Sequence, residues 1–175
     1  VVDATSLERH LELTLELSQL GRPMVVALNM MDEARKKGLH ISGNTLSKLL
    51  GVPVVPTVTL MGHGIAELFT AAVAAVRANT CPLPQPASQH IREKLLPLSK
   101  ALNTPKVQTA FRVPHPLLVM QFAAADGYFL REMGQHFPQL LPDLLRLRGE
   151  AEQALPRPLA EELHADRHHR AASLY

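Results

Sequence analysis

The sequence has little cysteine, no tryptophan and no long apolar run. Cys81 is the single cysteine among 175 residues, which excludes an internal disulfide and favours a reducing compartment. Aromatic residues make up only 4%, so a core must be built from Leu, Val, Ala and Met. No apolar run reaches the roughly 18 residues needed to cross a bilayer, and Val1-Val2-Asp3 lack the regions of a signal peptide. These absences predict a cytosolic chain.

The composition and charge are those of an ordinary globular protein. Hydrophobic residues make up 46% of the chain, which predicts a real core. The formal net charge of +2 is too small for the basic footprint of a nucleic-acid-binding protein, so no nucleic-acid partner is expected. The length allows one ordinary domain or two small ones.

The first part of the chain, to about Ala78, alternates short apolar runs with helical patterns. Residues 24–28 form a continuous apolar run, which is typical of a strand buried on both faces of a parallel sheet. Pro53 and Pro56 place a later strand at an edge or a strand end. Strand and helix in alternation predict an α/β fold with a parallel sheet. The other elements predicted here are strands at 1–2 and 52–58 and helices at 7–20, 45–50 and 65–77.

The second part of the chain contains no convincing strand. A proline-rich stretch at 81–87 predicts an extended linker, and helical patterns separated by proline-containing breaks follow it. The predicted organisation is therefore an α/β domain at 1–80, the linker, and a small helical domain at 88–175. The helical patterns cover 88–102, 117–135, 140–155 and 158–174.

Polar residues directly follow the predicted buried strand. Asn29 and Asp32 lie three positions apart there, and open α/β sheets bind ligands at the carboxyl ends of their strands. The Asp32 carboxylate can accept hydrogen bonds from N1–H and the 2-amino group of guanine, whereas adenine offers it neither donor. An unpaired polar group costs about 1–3 kcal/mol, and a charged bidentate contact sharpens the choice. Asn29 can reach the N7/O6 side of the base and brace neighbouring loops.

The same residues also allow a reading without a ligand. Asp32 could cap a short helix over Glu33–Lys37, and Asn29 could close a strand-end turn. A short motif taken alone carries a high risk of a false match.

A second loop with suitable groups follows the next predicted strand. Thr59 offers a hydroxyl brace and the amide of Leu60 offers an N–H to the guanine O6, 30 residues beyond Asn29. The alternative is a Gly-rich turn that starts a helix and needs no ligand. Two base-directed loops on consecutive strands favour a nucleotide site over two unrelated turns.

Residues 2–11 and 26–34 resemble the GTPase domain of ferrous iron transport protein B. That family is similar to small GTPases but carries Met where most have Lys in the Asn-Lys-x-Asp motif, and Met30 is that Met here. Its thioether can lie over the base without adding charge. Residues 51–56 and 62–65 match the strand and exit of the family's fifth motif. Leu60 and Met61 depart from it, because the family usually has a small and then a basic residue.

The resemblance implies a partial P-loop-GTPase-like parallel sheet followed by a small all-α helical domain. It also implies GTP or GDP as the ligand of the intact parent, with Mg²⁺, and Fe²⁺ as the transported ion. The expected partners are the N-terminal half of the GTPase domain and the transmembrane domain of the same protein, with oligomerisation left open. The expected location is the cytoplasmic side of the bacterial inner membrane. The implied nucleotide-binding residues are Asn29, Met30, Asp32, Thr59 and Leu60.

The hydrolytic motifs of a GTPase are missing from these 175 residues. None of the nine glycines begins the phosphate-cradling pattern G-x-x-x-x-G-K-[ST]. No Asp is followed three residues later by Gly, so the Mg²⁺ and γ-phosphate switch motif is missing too. No catalytic residue is therefore predicted. This chain alone is expected to bind no nucleotide tightly and to hydrolyse no GTP.

Histidines near the end of the chain raise the question of a metal site. His164 and His168 are four apart on a predicted helix, a spacing that can hold Zn²⁺. Two ligands rarely make a stable site, so a solvated helix face is favoured and no metal site is predicted.

Two hypotheses about function follow. In the first, the chain is the guanine-nucleotide-binding part of a ferrous iron uptake transporter and regulates iron transport. In the second, it is a stand-alone helical interaction or scaffold module with a degenerate nucleotide fold.

Overall fold

Short parallel strands and helices alternate in the first part of the chain, and helices alone make up the rest. The computed structural model describes residues 1–174. The chain divides into two compact units, one of residues 1–85 with the chain end from His168, the other of residues 86–167. The first unit contains β1 (Val2–Asp3), α1 (Leu7–Ser18), β2 (Val26–Asn29), α2 (Met31–Lys36), α3 (Gly43–Leu50), β3 (Val54–Pro56) and α4 (Ile65–Arg77).

The three strands of the first unit form one parallel sheet in the order β1-β2-β3. Val2 pairs with Leu28 of β2, and Val26 pairs with Val54 of β3. Parallel neighbours need long crossovers, which α1 and then α2 with α3 provide. The predicted parallel α/β sheet is confirmed.

One face of this sheet carries the core of the first unit. Val26 and Leu28 point to the same face because side chains alternate along a strand, and both belong to this core. Ala27 is buried too but points to the other face and lies outside the cluster. The fully buried members from the helices include Leu11, Leu15 and Leu50 of α1 and α3.

The strands are shorter than predicted where proline intervenes. The predicted strand at 52–58 is reduced to Val54–Pro56, because proline has no N–H to donate to a sheet ladder. Within the described sheet β3 is an edge strand, as the prolines indicated. The strand predicted at 24–28 is observed at Val26–Asn29, so Asn29 itself belongs to it.

Residues 86–167 are helical, and none of them lies in a strand. Their core contains Phe122, Met133 and Leu144, each fully buried. The predicted small all-α part of the fold is confirmed. The helices are α5 (Gln89–Lys94), α6 (Leu96–Leu102), α7 (Pro105–Phe111), α8 (His115–Ala123), α9 (Gly127–His136), α10 (Leu141–Gln153) and α11 (Leu159–Leu174).

Two of the four helices predicted in this part of the chain are each divided in the structure, whereas those at 140–155 and 158–174 are observed as α10 and α11. The predicted helix at 117–135 is two helices, because Ala125 takes a left-handed conformation with φ 58°. Asp126 then caps α9, and its carboxylate accepts the N–H groups of Tyr128 and Phe129 at 2.9 and 3.2 Å. The predicted helix at 88–102 is likewise two helices, and α7 was missed altogether.

The last helix carries residues of both cores. Leu159 and Leu163 of α11 are buried in the core of residues 86–167, whereas Ala171 belongs to the core of the first unit. The division into domains at 1–80 and 88–175 stays a prediction. None of the helices in residues 1–174 combines the length and the apolar character that crossing a bilayer requires.

Candidate nucleotide-base site

The parallel sheet brings the two predicted loops to the same end of its strands. β2 ends at Asn29 and β3 ends at Pro56, and parallel strands have their carboxyl ends on one side. The Thr57 N–H donates to the carbonyl of Leu28 at 2.8 Å and continues the pairing one residue beyond β3. The segments that follow the two strands therefore start side by side.

Asn29 ties the second loop to the first. Its Oδ1 accepts the hydroxyl of Thr57 and the N–H of Thr59, and its Nδ2 donates to the hydroxyl of Thr59, all at 3.2 Å. Thr57 is only 1% exposed. Burial of a polar side chain requires satisfied hydrogen bonds, so Asn29 and Thr57 stabilise each other. Bracing of the loop, which was one predicted role of Asn29, is seen directly.

Met30 occupies a backbone conformation that few residues other than glycine adopt. Its φ is 61° and its ψ is 34°, and it stands at the N-cap position of α2. The Ala34 N–H donates to the Met30 carbonyl at 2.9 Å, which starts the helix. The left-handed turn leaves the Met30 side chain 39% exposed at the sheet edge.

Asp32 lies inside α2 and does not cap it. The helix begins at Met31, and its N-cap residue, Met30, makes no side-chain capping bond. The alternative in which Asp32 caps a helix over Glu33–Lys37 is therefore wrong. The half-buried carboxylate of Asp32 accepts no hydrogen bond from any residue in the part of the chain that the structure describes.

The loop after β3 is a short closed turn with an exposed apolar tip. Val58 and His63 exchange backbone hydrogen bonds at 3.1 and 3.2 Å, and Thr59–Met61 form one 3₁₀ turn between them. Leu60 is 100% exposed. Its N–H donates to no acceptor among residues 1–174, whereas the N–H of Thr59 is used by Asn29.

Gly64 closes this loop against the end of β3. Its φ is +77°, and a Cβ there would lie 2.3 Å from the carbonyl oxygen of Pro56. Only glycine fits such a conformation and such a close approach. The roles of Gly64 and Thr57 were not predicted from the sequence, although both belong to the run Thr57–Gly64 that contains the predicted loop.

Asp3 lies at the same carboxyl end of the sheet, where it pairs in register with Asn29. Its carboxylate accepts the N–H of Thr5 at 2.7 Å. This hydrogen bond lowers the pKa of Asp3, with smaller contributions from His10 and Lys37. Asp3 stays ionised near neutral pH and is occupied in capping the first turn after β1.

No metal-binding group is found in the described part of the chain. Residues 1–174 contain no set of three or more His, Cys, Asp or Glu side chains arranged to hold an ion. His168, which was weighed as a zinc ligand, instead contacts Glu12 through Nδ1 at 2.8 Å and Glu8 through Nε2 at 3.7 Å. Its two ring nitrogens therefore point at different carboxylates.

The sheet and its loops define a P-loop-GTPase-like α/β protein. Residues 1–72 match the family model described as ferrous iron transport protein B. The chain belongs to the ferrous iron transport protein B family.

Relatives identified by sequence agree with this assignment. The chain is 36% identical over 159 residues to an Fe(2+) transport protein A/Fe(2+) transporter FeoB fusion protein of Porphyromonas gingivalis, covering 78% of the chain and 19% of that protein. It is 36% identical over 152 residues to the Fe(2+) transporter FeoB of Shigella flexneri, covering 86% and 19%. The chain thus spans about a fifth of the length of these relatives.

The fold is also that of a solved structure. NFeoB from S. thermophilus, bound to GDP, AlF4⁻ and K⁺, superimposes on 99% of the chain with a TM-score of 0.83. The identity is 24%, and the chain covers 66% of that structure.

Proposed function

We propose that this chain supplies the guanine-reading half of the nucleotide site of a ferrous iron transporter. The proposal rests on two features at the carboxyl ends of β2 and β3 taken together. The Asp32 carboxylate has unused hydrogen-bond acceptors, and Asn29 holds the loop after β3 in place. Asp32 lies in α2 just beyond β2, and among residues 1–174 no hydrogen bond or ion pair engages its carboxylate. A carboxylate with free acceptors suits the two adjacent donors of guanine.

Each residue of the proposed site has its own role. Asp32 accepts from N1–H and the 2-amino group of the base, and the exposed Met30 lies over the base face. Asn29 positions the loop through its bonds to Thr57 and Thr59. The free N–H of Leu60 then donates to O6, while Thr59 braces the turn. Since the N–H of Thr59 already donates to Asn29, Leu60 is the better oxygen-binding residue of the two.

The rest of the proposed mechanism lies outside these residues. In the intact parent protein, GTP or GDP binds with Mg²⁺ through a phosphate-cradling loop that residues 1–175 do not contain. We propose that the parent moves Fe²⁺ across the bacterial inner membrane, that this part lies on its cytoplasmic side, and that nucleotide state regulates the transport. The chain alone should bind nucleotide weakly, because phosphates supply most contacts in such sites.

A variant with altered base preference tests the proposal. In the parent protein, Asp32→Asn should favour xanthine over guanine nucleotides. The Asn amide can donate to the 2-carbonyl of xanthine while its oxygen accepts from N1–H. Two exchanged contacts of about 1–3 kcal/mol each should shift the preference by one to three orders of magnitude. Competition between GDP and xanthosine diphosphate measures the shift.

A matched control comes from the next residue of the same helix. Glu33→Gln also removes one negative charge from α2. Because Glu33 is paired with Lys36 at 2.8 Å, this substitution should leave the base preference unchanged. Equal preference in the Asp32→Asn variant and the wild type would remove Asp32 from the site. The scaffold hypothesis, in which the nucleotide fold is degenerate, predicts that outcome.

A further inference from the structure

The two exposed methionines among residues 1–174 both lie just beyond the carboxyl ends of β2 and β3. Met30 directly follows β2 and is 39% exposed, and Met61 lies in the loop after β3 and is 67% exposed. The other methionines belong to the two core clusters or pack against them, and they are Met24, Met31, Met120 and Met133. Exposure of methionine in the described chain is thus concentrated at the candidate base site.

Met30 and its neighbour Met31 lie in opposite environments. Met31 begins α2, is 7% exposed and belongs to the core of the first unit. Met30 precedes the helix, and its side chain makes no capping hydrogen bond. The contact of Met30 with the helix is made by its backbone carbonyl, which accepts the N–H of Ala34 at 2.9 Å. A chemical change at the Met30 side chain therefore leaves the start of α2 in place.

An accessible thioether reacts with hydroperoxides to give a sulfoxide. The sulfur lone pair attacks one oxygen of hydrogen peroxide, an S–O bond forms and the O–O bond breaks. The second oxygen takes the proton of the first and leaves as water, so the sulfur loses the two electrons that the peroxide gains. The product is a polar and chiral side chain in place of an apolar one.

We propose that Met30 is a site of reversible oxidation by hydrogen peroxide, and that its sulfoxide weakens nucleotide binding. The inference rests on the proposed function, which sets the Met30 side chain over the face of the base. A sulfoxide in that position gives up hydration without gaining a hydrogen-bond donor, whereas the thioether has little hydration to lose. Bound nucleotide in turn shields the sulfur from peroxide. Since we propose that nucleotide state regulates transport, this reaction makes the transport sensitive to peroxide.

Met61 provides a comparison at the same end of the sheet. It ends the 3₁₀ turn Thr59–Met61 and is more exposed than Met30. None of the proposed contacts with the base is made by Met61. We therefore expect Met61 to be oxidised with or without nucleotide, and its oxidation to leave nucleotide affinity unchanged.

Peptide mass spectrometry tests the selectivity of the reaction. The 175-residue chain is treated with hydrogen peroxide, and fragment ions assign the added oxygen to Met30 or to Met31. Met30 and Met61 should be converted at least about tenfold faster than Met31, because susceptibility follows exposure. Equal rates at Met30 and Met31, with the circular dichroism of the folded chain retained, would overturn the proposal.

The full-length parent tests the effect on nucleotide binding. Saturating GDP should slow the oxidation of Met30 and leave that of Met61 unchanged. After oxidation and removal of the peroxide, the affinity for GDP should be about tenfold lower, as expected for one unsatisfied polar group. Methionine sulfoxide reductases should restore it. Oxidation of Met30 that GDP does not slow would overturn the proposal.

Leucine variants assign the effect to one residue. Leucine is close to methionine in volume but contains no sulfur. Whatever affinity the Met30→Leu parent has before treatment should change by less than about twofold on oxidation, since no thioether remains there. The Met61→Leu parent should lose affinity as the wild type does. A loss that persists in Met30→Leu, or that disappears in Met61→Leu, would contradict the assignment to Met30.

The base-preference experiment separates this proposal from the proposed function. If Asp32→Asn shifts the preference but oxidation of Met30 leaves GDP affinity unchanged, the nucleotide site is supported and the oxidation site is refuted. If oxidation of Met30 weakens GDP binding but Asp32→Asn leaves the preference unchanged, the oxidation site is supported and the role of Asp32 is refuted. A parent that binds no GDP contradicts both proposals.

Discussion

The two units of this protein differ in how completely they bury their apolar side chains. Among the described residues, twelve large hydrophobic side chains of the first unit are exposed, against three in residues 86–167. Yet each unit has one well-defined core cluster. Residues 86–167 bury most of their large apolar side chains among their own helices. The first unit leaves large apolar side chains of α1, α4 and the loop after β3 exposed.

The difference shows that a unit can have a well-buried core and still expose many of its large apolar side chains. Leu28 and Leu11 are as well buried as Phe122 and Leu144. What distinguishes the sheet-bearing unit is the second apolar side of its helices. Isolated exposed leucines need no explanation, but Phe69, Val73 and Val76 follow one another at i, i+4 and i+7 on α4 and are all exposed.

Truncation of one phenylalanine in each unit should give the largest difference in the free energy of unfolding. Phe122→Ala removes a fully buried ring from the helical core and should lower the free energy of unfolding by about 3–5 kcal/mol. Phe69→Ala removes a ring that is 69% exposed and should change it by less than about 0.5 kcal/mol. Urea unfolding of the 175-residue chain, followed by circular dichroism, measures both. Similar losses in the two variants would mean that Phe69 is covered within the chain.

Two glycines of the loop after β3 differ in how closely other atoms pack against them. Gly64→Ala forces a left-handed backbone on alanine and sets its Cβ against the Pro56 carbonyl, so a loss of about 2–4 kcal/mol is expected. Gly62 has a similar φ of +71°, but a Cβ added there would meet no atom within 4 Å. Gly62→Ala should therefore cost only about 1–2 kcal/mol, the strain of the conformation itself. Thermal unfolding compares them, and equal losses would disprove the close approach.

The smallest effect concerns the chain end that joins the first unit. The hydrogen bond to Glu12 raises the pKa of His168, with Glu8 adding to the effect. Since the pKa in the folded state lies above that in the unfolded state, this pair stabilises the fold fully below about pH 6.5. The contribution is lost as the pH rises through the folded-state pKa.

NMR titration of the imidazole measures this prediction. Glu12→Gln should lower the pKa of His168 towards its ordinary value, because it removes the first of the two carboxylates. Glu8→Gln should lower it less, since Glu8 lies 3.7 Å away and Glu12 lies 2.8 Å away. A larger change on substitution of Glu8 than of Glu12 would contradict the observed contacts.

Much of the fold could be predicted because long-range packing and local pattern agree. The apolar run before Asn29 and the alanine-rich helix α4 were both found from their sequence. The break between α8 and α9 was missed, because Ala125 in a left-handed conformation has no local signature. The residues of α11 that join the first core could not be assigned either, since a helical pattern does not say which core its last turns enter.

The residues of the candidate site could be singled out from the sequence, whereas the hydrogen bonds between them could not. Asn29 and Thr59 were singled out from their positions after strands, and the structure joins them directly. The burial of Thr57 could not be foreseen, because it depends on the register between β2 and β3. Asp32 was open to two readings, and only the start of α2 at Met31 excludes its role as a cap.

The left-handed backbone of Met30 puts stability and activity in conflict at a single position. An ordinary side chain held at φ 61° costs about 1–3 kcal/mol that a glycine would not. Selection for stability alone would replace it, since stabilising substitutions are readily found where function does not oppose them. The proposed function gives a reason for a methionine here, since its side chain would lie over the base. Laboratory evolution of this chain towards heat resistance should therefore replace Met30 early, and the variants that do so should lose the apolar contact that we propose Met30 makes with a base.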